Sequence, residues 1–183
     1  MADEKTEGQS DSISFRPIGH IRSPYRDWAP YQPVERETEI GRFRVHVNEE
    51  YSEGLRDLER FAYVILFYYL DGAESKVGLT VNPPWTKKEV GLFASRSPNR
   101  PNPIGMSIVR IHRIEGNVIH TWPIDVFDKT PLLDIKPYVA SLDGKTDAND
   151  GWIEGLEGKE HLLQHVRGIP HDHSKGHGHT QGK

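Results

Sequence analysis

The run YVILFYYL, Tyr63 to Leu70, decides the fold class. Its aromatic and β-branched side chains suit a pleated surface better than a helix, and a continuous apolar run predicts a strand buried on both faces. Upstream, RFRVHV (Arg42–Val47) alternates strictly, so Phe43, Val45 and Val47 share one face. Downstream, Ser107–Ile114 and Val118–Ile124 flank Glu115, Gly116 and Asn117, a turn sequence that predicts a β-hairpin. A shorter strand is expected over Leu132–Lys136. The clearest helical segment is Glu49–Arg60, with Tyr51, Leu55 and Leu58 at i, i+4 and i+7 and Asn48 available as a cap. Ile153–Val166 is a weaker helical candidate. Short strands with Pro/Gly turns and few helices point to a closed or sandwiched antiparallel sheet, and the lack of strand–helix alternation disfavours a doubly wound sheet.

Around this framework the chain divides into zones. Its 183 residues suit one domain with tails. Residues 1–12 are polar and acidic and are expected to be disordered, residues 13–152 form the globular part, 153–168 a helical extension, and 169–183 a flexible tail. The absence of cysteine excludes a disulfide framework, a thiolate metal site and a cysteine nucleophile. The longest apolar run, Ala62–Leu70, is far short of the ~20 residues of a membrane helix. The first twelve residues carry four acids and one lysine, unlike a signal or transit peptide, so a cytoplasmic protein is expected.

Three segments carry groups with chemical potential. The densest is GLFASRSPNRPNPIGMS, Gly91–Ser107, in which Pro98, Pro101 and Pro103 stiffen a non-helical loop that presents Arg96 and Arg100. A guanidinium is a planar fork suited to phosphate, carboxylate or a base edge; a stiff surface loop with solvated arginines is the plainer reading. The second segment, VFDKTPLLDIKPY (Val126–Tyr138), sets Asp128 and Thr130 in a turn before Asp134, Ile135 and Lys136. A common Asp turn followed by an edge strand would look the same. The third, Gly19–Pro33, offers Tyr25 and Tyr31 in extended, proline-rich backbone, either as stacking surfaces or as aromatics closing one end of a barrel. Asp71 and Gly72 follow the apolar run, where a turn acid is the ordinary expectation.

No G-x-G-x-x-G, Walker, G-x-S-x-G or H-E-x-x-H motif is present, so the usual nucleotide, hydrolase and zincin frameworks are unsupported. His20, His46, His112 and His120 are scattered, which points to no metal centre in the domain; His112 and His120 are expected on adjacent hairpin strands as a surface pair. In the tail, His171, His173, His177 and His179 have the spacing of a flexible, weak chelator.

The segment Gly91–Ser107, with RSPNRPNPIG at its centre, resembles the signature of the TsaA-like family, and three further stretches agree in the same order: IGHIRSPY, LRDLERFAYVILFYYL and DKTPLLDIKPY. The resemblance covers roughly residues 15–140. Characterised members of this family are tRNA (N6-threonylcarbamoyladenosine) N6-methyltransferases. The resemblance therefore implies an antiparallel β-barrel that uses S-adenosylmethionine, usually as a homodimer with the cofactor near the subunit interface. The partner it implies is the anticodon loop of a tRNA, and no membrane is involved. The cofactor positions it implies are Pro30, Tyr31, Gln32, Asp71, Gly72, Arg96, Met106, Asp128, Lys129, Thr130 and Pro131, with Arg100, Asn102 and Lys136 toward the substrate. Departures accompany the match: relatives often have glycine in place of Lys129, a His-Leu/Ile-Trp type of sequence in place of Tyr63-Val64-Ile65, and bacterial relatives can carry His-Gln in place of Asp71-Gly72.

Methyl transfer from a sulfonium is an in-line displacement, so alignment is the main task, worth ~7–11 kcal/mol in favourable cases. An N6 nitrogen delocalised into a urea is a poor nucleophile and calls for a base. Asp128 is the candidate, with Asp71 second; either could instead hold the cofactor's hydroxyl or amino groups. Arg96 or Arg100 could meet the threonyl carboxylate or a phosphate. The alternatives are a catalytically silent RNA- or nucleotide-binding barrel, a methyltransferase for another small molecule, or a metal-handling protein that works through its tail. The formal net charge of −4 does not exclude RNA, because residues 86–113 hold Lys87, Lys88, Arg96, Arg100, Arg110 and Arg113 against Glu89 alone. Screening over ~8–10 Å makes such a local patch what a phosphate feels.

Overall fold

The computed structural model describes residues 12–29, 37–74, 76–83, 86 and 88–156. Six strands make up the main sheet: β1 (Gly19–Arg22), β2 (Phe43–Val47), β3 (Tyr63–Tyr69), β6 (Ile104–Glu115), β7 (Val118–Thr121) and β8 (Thr130–Pro137). β4 (Thr80–Val81) and β5 (Val90–Gly91) form a separate two-stranded ribbon. All pairings in the main sheet are antiparallel, in the order β1-β2-β7-β6-β3-β8, and β8 pairs again with β1, so the ladder returns on itself. Closure gives every strand of the main sheet two neighbours and gives the sheet a single interior.

That interior is supplied by the inward-facing residues of the six strands. Phe43 and Val45 from β2, Val64 and Leu66 from β3, Ile21, Ile119 and Leu132 are wholly buried. The alternation expected in β2 is therefore met. The expectation that Tyr63–Leu70 is buried on both faces is corrected: Val64, Leu66 and Tyr68 point inward, whereas Tyr63, Ile65 and Phe67 are half-buried and Tyr69 is exposed. A closed sheet buries one face only, and no described element covers the other. Outward apolar residues of β3 instead stand opposite those of β6, as Ile65–Ile108, Phe67–Met106 and Tyr69–Ile104. Ile104, Met106 and Ile108 remain exposed.

The hairpin forms where its turn residues placed it, with Gly116 at φ +58°. Its strands differ in extent, since β6 starts at Ile104 and β7 ends at Thr121. An irregularity between Ile111 and Arg113 shifts the register, so His120 opposes Arg113 and the expected His112–His120 pair does not form. The histidines that do meet are His20 and His46, stacked at 5.0 Å and 7° across β1 and β2. β1 itself was not legible: GHIR is short and half polar, and it becomes a strand through pairing with β2 and β8. A Cβ at Gly19 would lie 2.0 Å from the His46 carbonyl oxygen, so that close approach requires glycine.

The expected helix Glu49–Arg60 is replaced by two 3-10 turns, Glu49–Leu55 and Leu58–Arg60. Leu55 and Leu58 are buried, so the apolar spacing was meaningful. Asn48 makes no side-chain cap, however, and Asp57 at φ +65° breaks the winding between them. The α-helical segment among the described residues is Ala140–Asp143. The expected Ile153–Val166 helix is not formed at its start, where Ile153, Glu154 and Gly155 lie in a 3-10 turn, Gly151–Gly155, and Leu156 is extended; residues 157–166, residues 1–11 and the histidine tail lie outside the described residues.

Candidate active site

Three loops gather at the end of the sheet where β3 finishes and β6 and β8 begin. The segment following β5 opens with a 3-10 turn, Leu92–Ala94, which Ser95 closes by donating its hydroxyl to the Leu92 carbonyl at 2.8 Å. Arg100 folds back on this turn, donating to the Ser95 carbonyl at 2.9 Å and lying 5.7 Å from the Phe93 ring. Arg100 thus ties its own loop together, rather than standing free as the sequence suggested. Trp152 braces the same turn from outside, its indole N–H donating to the Ala94 carbonyl at 2.8 Å. Arg96, between these ties, is exposed.

The segment is fastened to the turn after β3 at two points. Glu74 donates its backbone N–H to Asn99 Oδ1 at 3.0 Å, and Leu70 donates to the Pro103 carbonyl at 2.8 Å. Asp71 and Gly72 lie within that turn. A Cβ on Gly72 would rest 3.9 Å from the ring of Phe127, which links this turn to the loop before β8.

The loop before β8 is held to β1 and to the residues that follow it by several bonds. Ser23 donates its hydroxyl to the Val126 carbonyl at 2.6 Å, Asp128 N–H donates to Tyr25 O at 2.7 Å, and Lys129 N–H donates to Ile21 O at 2.8 Å. Thr130 closes the turn by donating its hydroxyl to the Phe127 carbonyl at 2.9 Å. Lys129 occupies the left-handed region at φ +70°, a conformation in which glycine is strain-free. Asp128 Oδ1 accepts Arg22 Nε at 2.6 Å and the Ser23 N–H at 3.3 Å. Burial pushes its carboxyl upward, but the Arg22 bond and charge and the Ser23 amide outweigh this and hold it below the ordinary aspartate value.

A hydrogen-bonded chain that the sequence did not reveal lies beside these loops. Tyr68 and Ser107 share a bond of 2.8 Å between their hydroxyls, and Ser107 donates to Asp125 Oδ1 at 3.3 Å. Since Ser107 has one proton, Tyr68 is the donor to Ser107. Burial and then the Asp125 charge push the Tyr68 phenol up to about 12, against the Ser107 bond and the nearby Arg96 charge. Gly105 makes room for this ring, because a Cβ there would sit 2.0 Å from Tyr68 Cε2. Asp125 is exposed. The available signal was adjacency: Ser107 ends the proline-rich segment, and Asp125 precedes Asp128 by three positions.

These contacts join the loops that carry Asp71, Gly72, Arg96 and Asp128 to Thr130. Met106 stands apart from the interior, on the outer face opposite Phe67. Pro131 opposes His20 in the β1–β8 ladder. Asn102 is exposed, with its carbonyl accepting Ile104 N–H at 2.7 Å. Lys136 lies several residues along β8, opposite Ile65, paired with Asp134 at 2.7 Å and above the Phe67 ring. Pro30, Tyr31 and Gln32 lie outside the described residues. Among the described residues no group of three or more His, Cys, Asp or Glu is arranged to hold a metal ion, and no helix is long and apolar enough to cross a membrane.

The closed sheet with a three-loop rim defines an all-β protein whose candidate site lies outside any nucleotide-binding α/β framework. The chain belongs to the tRNA-methyltransferase O family, whose N-terminal domain matches residues 20–144. It is 43% identical over 144 residues to a probable S-adenosyl-L-methionine-binding protein of Pyrococcus abyssi, a match that covers 78% of this chain and 77% of that one. It is 32% identical to the tRNA (adenine(37)-N6)-methyltransferase of Escherichia coli, over 81% of this chain and 67% of that one. The crystal structure of TrmO from Pseudomonas aeruginosa superposes with a TM-score of 0.63 at 32% identity, covering 77% of this chain. The match spans 62% of that solved chain, less than two thirds of its length.

Proposed function

We propose that this chain is an S-adenosylmethionine-dependent methyltransferase that acts on tRNA, methylating N6 of threonylcarbamoyladenosine beside the anticodon. The observation that carries the reading is the convergence of the turn after β3, the proline-rich segment and the loop before β8, three stretches distant in sequence that share one rim. The groups at this rim suit the cofactor's parts. Phe127 offers an aromatic face beside an unobstructed Gly72, Arg96 offers donors for a carboxylate, and Asp128 and Asp125 place negative charge near a cation. When bound, the cofactor supplies an electrophilic methyl group on sulfur.

The chain's own residues then have to position the acceptor and take its proton. Asp128 is a weak base because Arg22 stabilises its ionised form, so we assign it to orientation of the loop and of the cofactor. Among the described residues Asp125 has no cation bound to it, and Ser107 is its hydrogen-bond donor. We assign it the N6 proton, which it releases to water from its exposed position; Asp71 is the second carboxylate at the rim. Arg96 would meet the threonyl carboxylate or the cofactor's own.

A second copy of the chain belongs to this reading. The exposed ladder of Ile104, Met106 and Ile108 against Tyr69, Phe67 and Ile65 adjoins the rim and provides an apolar face for it. If Met106 contacts the cofactor, the cofactor must reach this outer face, next to the subunit contact.

The test is incubation with S-adenosylmethionine and bulk tRNA, followed by nucleoside mass spectrometry. A gain of one methyl group on threonylcarbamoyladenosine is expected, and its loss in Arg96→Ala with an unchanged melting temperature. Tight binding of S-adenosylmethionine by calorimetry with no methylated nucleoside would favour another acceptor. Binding of RNA without binding of S-adenosylmethionine would favour the silent RNA-binding reading.

A further inference from the structure

A cleft of about 300 Å³ opens on the outer face of β1 and β2, immediately beside the loop before β8. Arg22, Arg42 and Arg44 line it, together with His46 and Asp128. None of these arginines lies in the 86–113 segment that the sequence singled out as basic. The sheet register creates the cluster: Arg22 stands directly opposite Arg44, and His20 opposite His46. Like charges facing one another across two strands destabilise the pairing, so the arrangement favours an anion that bridges them. The local positive field is also felt at His46, whose imidazole is held below its usual value by burial first, then by His20, Arg44 and Arg22.

The carboxylates nearby leave that field incompletely compensated. Arg22 is bound by Asp128 at 2.6 Å, and Arg42 by Glu39 at 2.6 Å. Both arginine side chains remain about half exposed, and such surface pairs exchange readily for a phosphate. Arg44 is held through Nε by the Gly41 carbonyl at 3.3 Å and makes no ion pair among the described residues. Its remaining N–H groups face solvent beside the cleft. A guanidinium with one nitrogen anchored and the others free is a directed phosphate donor.

We propose that the Arg42–Arg44 cleft binds the phosphodiester backbone of the RNA whose nucleoside enters the rim, and so acts as a second point of contact on the substrate. The proposal rests on the tRNA reading above. It gives the Arg22–Asp128 pair a place at the junction of the two sites, since both residues line the cleft and Asp128 belongs to the loop before β8. Contacts of this kind are read from charge and spacing rather than from base identity, so they should set affinity and register without selecting the nucleoside.

Fluorescence anisotropy with bulk tRNA at several salt concentrations tests this on the full chain. Arg44→Ala should weaken binding several-fold and lower the slope of log affinity against log salt by about one, the value expected for one lost phosphate contact. Arg42→Ala with Arg44→Ala should lower it further, Arg44→Lys should restore most of the slope, and melting temperature and calorimetric affinity for S-adenosylmethionine should not change. Unchanged tRNA affinity and slope in the double variant, with the wild type binding, would overturn the proposal. So would a drop in S-adenosylmethionine affinity, which would make the cleft part of the cofactor site, and so would absence of tRNA binding by the wild type. If the wild type binds tRNA with an Arg44-dependent slope but yields no methylated nucleoside, the cleft stands and the methyltransferase reading fails.

Discussion

Single residues at the rim are constrained by what touches them. Gly105 is required because the Tyr68 ring occupies the space of a Cβ. Gly105→Ala should therefore destabilise the fold by ~1–3 kcal/mol, the usual range for overpacking, as read from denaturant unfolding. It should also break the Tyr68–Ser107–Asp125 chain. Asp128 gives a pH signature. Its folded carboxyl is held below the unfolded value of ~3.9, so its contribution to stability is complete above that pH and disappears as the pH falls through the lower, folded value. Asp128→Asn should leave a melting profile with a shallower acid limb below about pH 4. An unchanged limb would show that the Arg22 bond contributes nothing in solution.

At the scale of elements, β1 and β2 depend on pairs that neither strand announces alone. The His20–His46 stack lies between them, and His46 and His120 are both held below the usual imidazole value, in each case first by burial. An unfolded imidazole titrates near ~6.5, so on acidification the unfolded chain takes up these protons first. Stability should be full above about pH 7 and fall as the pH drops through that range. His46→Phe, which keeps an aromatic ring against His20, should flatten part of this decline in melting temperature and leave the His120 share. The helical segment teaches a related point. The spacing of Leu55 and Leu58 correctly identified a buried apolar face, but local winding was decided by Asp57 in the left-handed region and by a cap that does not form.

For the whole molecule, closure of the sheet determines which apolar residues remain to be covered. The outward ladder on β3 and β6 has no described element over it, and a second copy is the occupant consistent with the proposed function. Ile108→Glu, at an exposed position of β6, should convert a dimer to a monomer in analytical ultracentrifugation without a fall in melting temperature of the monomer. A wild-type chain that sediments as a monomer at micromolar concentration would count against that assignment. The cationic cleft is on a different face, across β1 and β2, so loss of the dimer should leave the Arg44-dependent salt slope in place.

Much of this was legible in the sequence because its causes are local. Alternation in RFRVHV, the turn at Gly116, and the apolar run from Tyr63 each act over a few residues, and each produced the strand it implied. The proline-rich segment likewise declared itself through composition, and its residues carried the resemblance to the family. What required the tertiary structure was everything set by pairing between distant strands. Register placed Arg22 opposite Arg44, moved His120 away from His112, seated Tyr68 over Gly105, and left one face of YVILFYYL half-exposed. The physical reason is that side-chain direction in a strand has a period of two, whereas cross-strand neighbours depend on where each ladder starts and where it slips. That information resides in the closed sheet, and in no single segment of the chain.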